Sequence, residues 1–547
     1  MWTKSHDWTE RKVRATETGF FEAFKSGGTM DITLRSQDEF DGEALVFFVF
    51  EKDLEKTPGL QTWLAAQGGW LSGNSAMTAF SGKTKSARYF FPPSGTASPA
   101  VILVGLGGRK SFGQRELRRA VASAVGCAMD LRLNDIGLDT SVLSDTDLDI
   151  AQAVEVTTCA AMTAVYRFER LKTEKDESPT QPPKLRILRD DPRDDQADAR
   201  LKTHLDRSLA TGHGLNLARD LVNMPANLAT PEYLAQTARD LAGRYGFGLE
   251  VMNADQIEAL GMGAFAAVFQ ANRDQARLII LDSRPSPSGL PDQPTSSDGE
   301  KPLVVIGKGI TFDTGGISLK LSQGMEEMKG DMGGAAAVLG FFEAHGRLGR
   351  SGGDQRRVVG IIPCTENLPG PKAVKPGDVV TTCSGKTVEI INTDAEGRLL
   401  LCDALAYSKR YDPLGIVDLA TLTGAMVVSL GPRIAGAFAA PESLAEQVRR
   451  IGERVGEPVW PMPLWDDYKD ELKSEVADLK NVGAREGGAI HAALFLHRFV
   501  PENTPWVHLD IAGPAYAKKK GDHGIAGGTG FGVRILMELT REWPETI

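Results

Sequence analysis

The stretch Ile391-Asn-Thr-Asp-Ala-Glu-Gly-Arg-Leu-Leu-Leu401 joins two unlike patterns. Before it, Thr387, Val388, Ile390 and Ile391 make an apolar, β-branched approach that reads as a strand. After Gly397, Leu399 to Leu401 with Ala404, Leu405, Ala406 and Tyr407 read as a buried helix. Charge therefore sits at a strand-to-helix junction. Asp394 and Glu396 are two apart, so an extended segment points both the same way, whereas a helix would separate them by about 200°. Two convergent carboxylates suit a hard cation. Arg398 falls in the first helical turn, where the macrodipole disfavours a cation unless an anion is held beside it. Taken alone, the same residues also fit a solvated turn whose acids favour a helix N-terminus.

A second stretch upstream decides between these readings. Leu303 to Ile306 reads as a strand, and Gly307-Lys-Gly-Ile-Thr-Phe-Asp313-Thr-Gly-Gly-Ile-Ser-Leu-Lys320 follows it directly. Four glycines in that span require tight turning or close approach. Next comes Lys329-Gly-Asp331-Met-Gly-Gly-Ala-Ala-Ala337, which sets Asp331 just before a helix rich in small residues. Singly, Lys308 and Lys320 read as solvated lysines, Asp331 as an N-cap and Asp313 as a turn residue. Together, Asp313, Asp331, Asp394 and Glu396 are four carboxylates expected at strand ends or helix starts of one sheet. Four like charges in one pocket need cations, and two divalent ions about 3.5–4 Å apart are a recurring hydrolase device. Oxygen ligands alone favour magnesium, calcium or manganese; an amine from Lys308 shifts preference toward zinc, manganese or cobalt. A lysine ligates only when neutral, so the metal charge must depress its pKa.

Outward from this centre the chain reads as α/β. In the first third, Ala44 to Phe50 and Ala100 to Gly105 read as strands, and Gln114 to Leu131 and Asp147 to Leu171 as helices. Lys172 to Arg200 turns polar and proline-bearing, placing a boundary that gives an N-terminal α/β domain, 1–190, and a larger catalytic domain, 191–547. A long helix runs from Leu201 toward Val222, and Thr230-Pro-Glu starts another. Further strands are Arg277 to Leu281, Val358 to Ile362, Ile416 to Ala420 and Trp506 to Ile511. Helices at Gly334 to Ala344, Leu399 to Arg410, Leu444 to Val455 and Gly488 to Phe499 fit between them. The alternation predicts a mainly parallel sheet flanked by helices, with sites at the carboxyl ends of its strands. Asp282 to Lys301, rich in Pro and Ser, reads as a surface loop.

Composition bounds the function. The 547 residues are 41% apolar and 24% charged with a formal net charge of −10, which gives no global footprint for nucleic acid. Five widely spaced cysteines without a C-x-x-C pair suit a reducing compartment. The N-terminus lacks an apolar signal core and no run reaches the roughly 18 residues of a membrane span, so a cytoplasmic protein with no membrane partner is expected. Val101-Ile-Leu-Val-Gly-Leu-Gly-Gly108 has Lys110 where a dinucleotide fingerprint needs its third glycine, and reads as a tight strand-to-helix turn. No H-E-x-x-H or G-x-S-x-G occurs. His508 and Asp510 alternate onto one strand face, where a structural role is favoured.

Gly307-Lys-Gly-Ile-Thr-Phe-Asp-Thr-Gly-Gly316, Lys329-Gly-Asp-Met-Gly-Gly-Ala-Ala336 and Asn392-Thr-Asp-Ala-Glu-Gly-Arg398 resemble the signatures of the leucine aminopeptidase (cytosol aminopeptidase) family. Asn223-Met-Pro-Ala-Asn227, Asp418-Leu-Ala-Thr-Leu-Thr-Gly424 and His508-Leu-Asp-Ile-Ala-Gly513 support it. The likeness runs from about Leu201 to the C-terminus and is looser before that. It implies an exopeptidase that removes leucine and other apolar residues from peptide N-termini by a two-metal-activated water, with Mn²⁺ or Zn²⁺. One ion would take Lys308, Asp313, Asp331 and Glu396, the other Asp313, Asp394 and Glu396. Lys320 and Arg398 fall at the family's catalytic positions, Lys320 as oxyanion donor and Arg398 as holder of bicarbonate. Met328, Thr421, Leu422, Gly424 and Ala512 would bind substrate, and a cytoplasmic homohexamer is the family precedent. Asp331 lies in Lys-Gly-Asp-Met-Gly rather than the more familiar Lys-Tyr-Asp-Met-Cys, and Pro514-Ala515 stand where a larger pocket residue is expected. Two other readings are an assembled scaffold or DNA-architectural protein, expected to show salt-dependent duplex binding without peptidase activity, and a two-metal phosphoesterase.

Overall fold

The computed structural model describes residues 30–67, 69–174, 181–189, 195–285, 300–349, 356–519 and 526–544. Most of the 282–301 connection, residues 286–299, lies outside them, as does much of the polar 172–200 stretch.

The first sheet takes β1 (Ile32–Ser36), β2 (Ala44–Phe50), β3 (Ala87–Phe90), β4 (Ala100–Gly107), β5 (Asp135–Asp139) and β6 (Lys184–Arg189) in the order β1-β6-β5-β2-β4-β3. All neighbours are parallel except β3 against β4. Both β2 and β4 are buried along their whole length, which is why each reads as an unbroken apolar run. The helix expected to reach Leu171 spans Ile150–Val165 and stops where Tyr166 turns extended.

The second sheet holds nine strands: β7 (Gly248–Met252), β8 (Arg277–Asp282), β9 (Leu303–Gly307), β10 (Gly309–Asp313), β11 (Val358–Asn367), β14 (Gly415–Ala420), β15 (Ala435–Ala440), β16 (Val459–Pro461) and β18 (Trp506–Asp510). Its order is β16-β15-β18-β14-β9-β11-β8-β7, with β10 beside β11. The centre, β18-β14-β9-β11, is parallel, and antiparallel pairs occur toward both edges. Side chains alternate into two cores. Leu303 and Val305 of β9 face the Asp195–Asn223, Gly333–Leu348 and Val533–Glu542 helices, while Val304 and Ile306 face Gly263–Phe269, Gly397–Ser408 and Gly488–His497. Among the described residues, no helix is long and apolar enough to cross a membrane.

The Asp195–Asn223 helix links the two layered units. On one side Met162 lies against its Gly212, and on the other its Gly214 meets Gly340 so closely that a Cβ on Gly214 would lie 2.2 Å from the Gly340 carbonyl oxygen. Side-chain-free crossing lets the two backbones touch.

One expectation needs correcting. The strand before the central motif, β13 (Thr387–Ile390), belongs to a small separate sheet with β12 (Asp378–Thr381) and β17 (Leu479–Lys480), in the order β12-β13-β17. Asp394 and Glu396 therefore do not sit at a strand end of the sheet that carries Lys308 and Asp313.

Candidate metal centre and active site

Five of the nine strands deliver polar residues at their carboxyl ends. Lys308 follows β9, Asp313 ends β10, Asn367 ends β11, Thr421 follows β14 and Asp510 ends β18. A parallel sheet aims such ends at one crevice.

Asp394 and Glu396 arrive from the other side. They converge, but through a turn rather than the extended segment expected: Asp394 N–H bonds to Asn392 Oδ1 at 2.9 Å, and Glu396 has helical φ/ψ of −74° and −37°. The turn is held by buried Asn481, whose Oδ1 accepts from Ile391 N–H at 2.9 Å and whose Nδ2 donates to Asn392 O at 2.8 Å. Asp331 is likewise not an N-cap, since Met332 occupies that position of the Gly333–Leu348 helix. Its Oδ1 accepts from the Thr421 hydroxyl at 2.7 Å, which turns the carboxylate into the crevice.

Three of the five predicted ligands meet directly, and Asp331 joins them through Lys308. Oxygens of Asp313, Asp394 and Glu396 all lie within 4.8 Å of one another. Lys308 is no surface residue: its side chain is 3% exposed, and Nζ sits 2.7 Å from Asp331, 2.9 Å from Glu396 and 3.0 Å from the Thr421 carbonyl. Gly397 makes this possible, because a Cβ there would lie 2.7 Å from Lys308 Cε. Lys320 Nζ bridges Asp313, at 2.8 Å, and Asp394.

Electrostatics follow from four acids in one crevice, three of them buried and Asp394 half-buried. Burial pushes the Asp331 carboxyl up to about 8, against the pull of Lys308 and with the repulsion of Asp313 and Glu396. Burial and the Asp313 charge also raise Glu396, and burial raises Asp394. Burial alone would lower Lys308; the charges of Asp331, Glu396 and Asp313 outweigh it and hold the amine above its ordinary value. Lys320 is raised in the same way, against its own desolvation, chiefly by Asp313. Arg398 lies buried beside the cage, pushed down to about 10 by desolvation; Nη1 donates to Asn481 O at 2.8 Å, and its buried Nε has no protein partner.

The residues expected on the substrate side fall on the segments that follow β14 and β18 and on the turn before Asp331. Thr421 is fixed by Asp331 as above. Asp510 organises its neighbours, accepting from Leu422 N–H at 3.2 Å, Ala512 N–H at 3.1 Å and the Thr423 hydroxyl at 2.7 Å. Gly424 opens the Gly424–Leu430 helix and faces open space, and Met328 precedes Asp331 in a 3₁₀ turn whose Met328 carbonyl accepts from Asp331 N–H at 3.2 Å. His508 takes a structural place, its Nδ1 2.5 Å from Asp418 Oδ1 inside the sheet.

Three residues escaped the sequence reading. Asn367 Nδ2 donates to Asp313 Oδ1 at 2.8 Å and to Thr393 O at 3.1 Å, with Glu396 Oε2 at 3.4 Å, so one amide ties the two ligand-bearing segments together. Asn481 supports the turn and Arg398, and the Thr393 hydroxyl donates to Gly315 O. The one available signal was Asn367 at the end of an apolar strand.

Buried acids around an amine at the carboxyl edge of a parallel sheet form a donor set for divalent cations. Comparison with known proteins agrees. Residues 216–537 match the model of the cytosol aminopeptidase family, catalytic domain, and residues 46–175 that of its N-terminal domain. The chain is 44% identical over 516 residues to a probable cytosol aminopeptidase of Syntrophobacter fumaroxidans, covering 94% of this chain and 99% of that one. Among solved structures it resembles a tomato leucine aminopeptidase mutant, with TM-score 0.79, 32% identity and coverage of 94% and 97%. It is also similar to the bottromycin maturation enzyme BotP in complex with Mn, with TM-score 0.77, 32% identity and coverage of 92% and 99%. By descent and by the donor set at its sheet edge, this chain belongs to the cytosol aminopeptidase family and is a divalent-metal-dependent aminopeptidase.

Proposed function

We propose that the chain holds two divalent ions, manganese or zinc, and cleaves the bond after the first residue of peptides, preferring leucine and other apolar side chains. The observation that carries this reading is the cage itself, three carboxylates within 4.8 Å of one another joined by Asp331 and a buried amine. Four acids face two lysines, so the cage is short of positive charge. Asp331 Oδ2 and Asp394 Oδ1 are buried oxygens whose one close partner is a lysine ammonium. Such oxygens fit metal ligation.

Lys308, Asp313, Asp331 and Glu396 would hold one ion, and Asp313, Asp394 and Glu396 the other. Bound there, divalent ions polarise a carbonyl and lower the pKa of water from 15.7 to about 7. Lys308 must give up its proton to take part, which its acid neighbours oppose until metal charge outweighs theirs. Lys320, whose side chain is 25% exposed, is the cation that faces substrate. Its ammonium donates to the peptide carbonyl oxygen and stabilises the charge that develops there. Arg398 stays cationic at neutral pH and keeps its Nε for a small anion, bicarbonate, which passes a proton to the leaving amine. Thr421, Leu422, Gly424, Ala512 and Met328 position the peptide and its first side chain. The same reading carries a cytoplasmic homohexamer, checked by light scattering on the purified chain.

The test is a manganese- and zinc-reconstituted assay over a panel of aminoacyl p-nitroanilides, with and without bicarbonate, alongside elemental analysis. Apolar residues should turn over fastest with about two ions per subunit. Full activity at one ion per subunit, or equal rates across the panel, overturns the corresponding part.

A further inference from the structure

Away from the metal cage, helices of both units line a half-open pocket of about 200 Å³. The Gln114–Asp130 and Ile150–Val165 helices wall it on one side, and the Asp195–Asn223, Ser443–Val455 and Val533–Glu542 helices on the other. Five arginines and three carboxylates line it, leaving two positive charges in excess.

The excess can be located. Arg207, Arg454 and Arg541 converge on Glu538, the last two at 3.1 and 2.6 Å, and both also reach Glu542. Glu155 lies 2.7 Å from His204 Nδ1, at hydrogen-bond distance, and Asp149 pairs with Arg200 at 3.4 Å. Arg118 and Arg534 remain. Arg118 Nη2 donates only to Gln114 Oε1 at 3.1 Å and Arg454 O at 3.4 Å. Arg534 Nη1 donates to Val455 O at 3.4 Å, and its buried Nε has no partner. Among the described residues, neither guanidinium has a carboxylate within ion-pair distance. The buried acid nearest in charge, Glu457, already accepts from Gly532 and Ile535 N–H, each at 3.0 Å.

The position is built rather than incidental. Gly456, at φ +73°, lies under Arg118, where a Cβ would come within 2.0 Å of Nη1. Burial, reinforced by the Arg534 charge, pushes Arg118 down to about 9. Glu457 acts on both guanidinium groups through space but contacts neither. Two half-buried forks from different units, without a carboxylate in direct contact, match the geometry of a multivalent oxyanion. We propose that this cavity binds a small tetrahedral oxyanion, inorganic phosphate or the phosphate head of a small phosphomonoester, clamped between Arg118 of the N-terminal domain and Arg534 of the catalytic domain. The bound anion would join the two units without touching the peptidase chemistry.

Hydrogen exchange read by mass spectrometry on the full, metal-loaded chain tests this locally and separates it from any anion at Arg398. With phosphate at ten times its dissociation constant, against potassium chloride of equal ionic strength, exchange in the 150–165 and 533–542 helices should slow about 10-fold. Glycerol phosphate in a parallel arm distinguishes a free ion from an esterified head; protection by either supports the site. Arg118→Ala and Arg534→Ala should each abolish the protection while leaving peptidase turnover unchanged, and Arg118→Lys should restore part of it. No protection by either anion, or protection that survives in both alanine variants, overturns the proposal.

Discussion

Replacing Asn367 by alanine tests whether the cage is preorganised by the sheet or assembled by the ions it holds. The side chain is buried, and its amide donates at 2.8 Å to Asp313 Oδ1 and at 3.1 Å to Thr393 O. The first is a hydrogen bond to an acid, worth about 1.5–3 kcal/mol, and the second a neutral one worth about 1 kcal/mol. Their loss should lower the stability of the metal-free chain by about 2.5–4 kcal/mol. The effect on metal is separate. Without Asn367, Asp313 keeps the Gly315 N–H on Oδ1 and the Lys320 ammonium on Oδ2, each at 2.8 Å, and the turn bearing Glu396 loses its tie to β11. Outer partners of this kind are typically worth 10- to 100-fold in metal affinity. Competition for manganese against a fluorescent chelator should show that weakening. Peptidase activity should recover toward the parent value as manganese is raised, because no group touching substrate is removed. Asn367→Leu, which keeps the volume and deletes the donor without adding charge, should weaken metal comparably. Unchanged affinity in both variants refutes the preorganised cage.

Four further outcomes follow from the same structure. Lys320→Ala should keep metal content near that of the parent and lower kcat by about 10²-fold or more, as expected for a lost oxyanion donor; loss of metal by elemental analysis would reassign it. Arg357 and Asp282 form an ion pair at 2.6 Å with both side chains 1% exposed, so Arg357→Ala should destabilise by about 3–5 kcal/mol in urea titrations, and a paired Arg357→Met, Asp282→Leu variant should recover most of that; equal loss in both would show packing, not charge, to be the cause. Asp510→Asn should raise KM more than it lowers kcat by loosening Leu422 and Ala512, and an unchanged KM would remove it from substrate positioning. Burial pushes Asp403 from 3.8 up to about 6, with backbone donors of Phe265 and Cys383 offsetting part of the cost. The folded chain thus binds that proton more tightly than the unfolded one. This group's contribution is fully present below about pH 3.8 and declines by about 3 kcal/mol as pH rises to about 6. Asp403→Asn should remove the decline, so a parent-minus-variant stability difference that stays constant from pH 4 to 7 would refute it.

Legibility in the sequence divided along physical lines. Strands such as β2, β4, β9 and β14 were readable because burial on both faces leaves continuous apolar runs, and the helix starting at Pro231 because Thr230 caps it through Tyr233 N–H. Helix ends were less so, since Tyr166 leaves the helix without any proline or glycine to mark it. The membership of β13 in a small side sheet was not legible either: its alternation is the same whichever sheet it joins, and only pairing with Asp378–Thr381 and Leu479–Lys480 decides.

The candidate site shows the same division more sharply. Asp313, Asp331, Asp394 and Glu396 were recognisable as a set because each falls at an expected strand end or helix start and within motifs that resemble one family. Asn367 and Asn481 act through several hydrogen bonds to residues between 26 and 90 positions away, and nothing local distinguishes them from surface asparagines. Gly397 lies between. In the motif it passes for a helix-start glycine, yet the structure gives a different cause, because the Lys308 stem fills the space its Cβ would need. A glycine beside a buried lysine is a statement about a partner 89 positions away. Gly397→Ala should therefore perturb metal affinity through displacement of Lys308 even though alanine is the better helix former by about 1 kcal/mol. Measured affinity that stays at the parent value, with stability raised by that amount, would return the glycine to a purely local role.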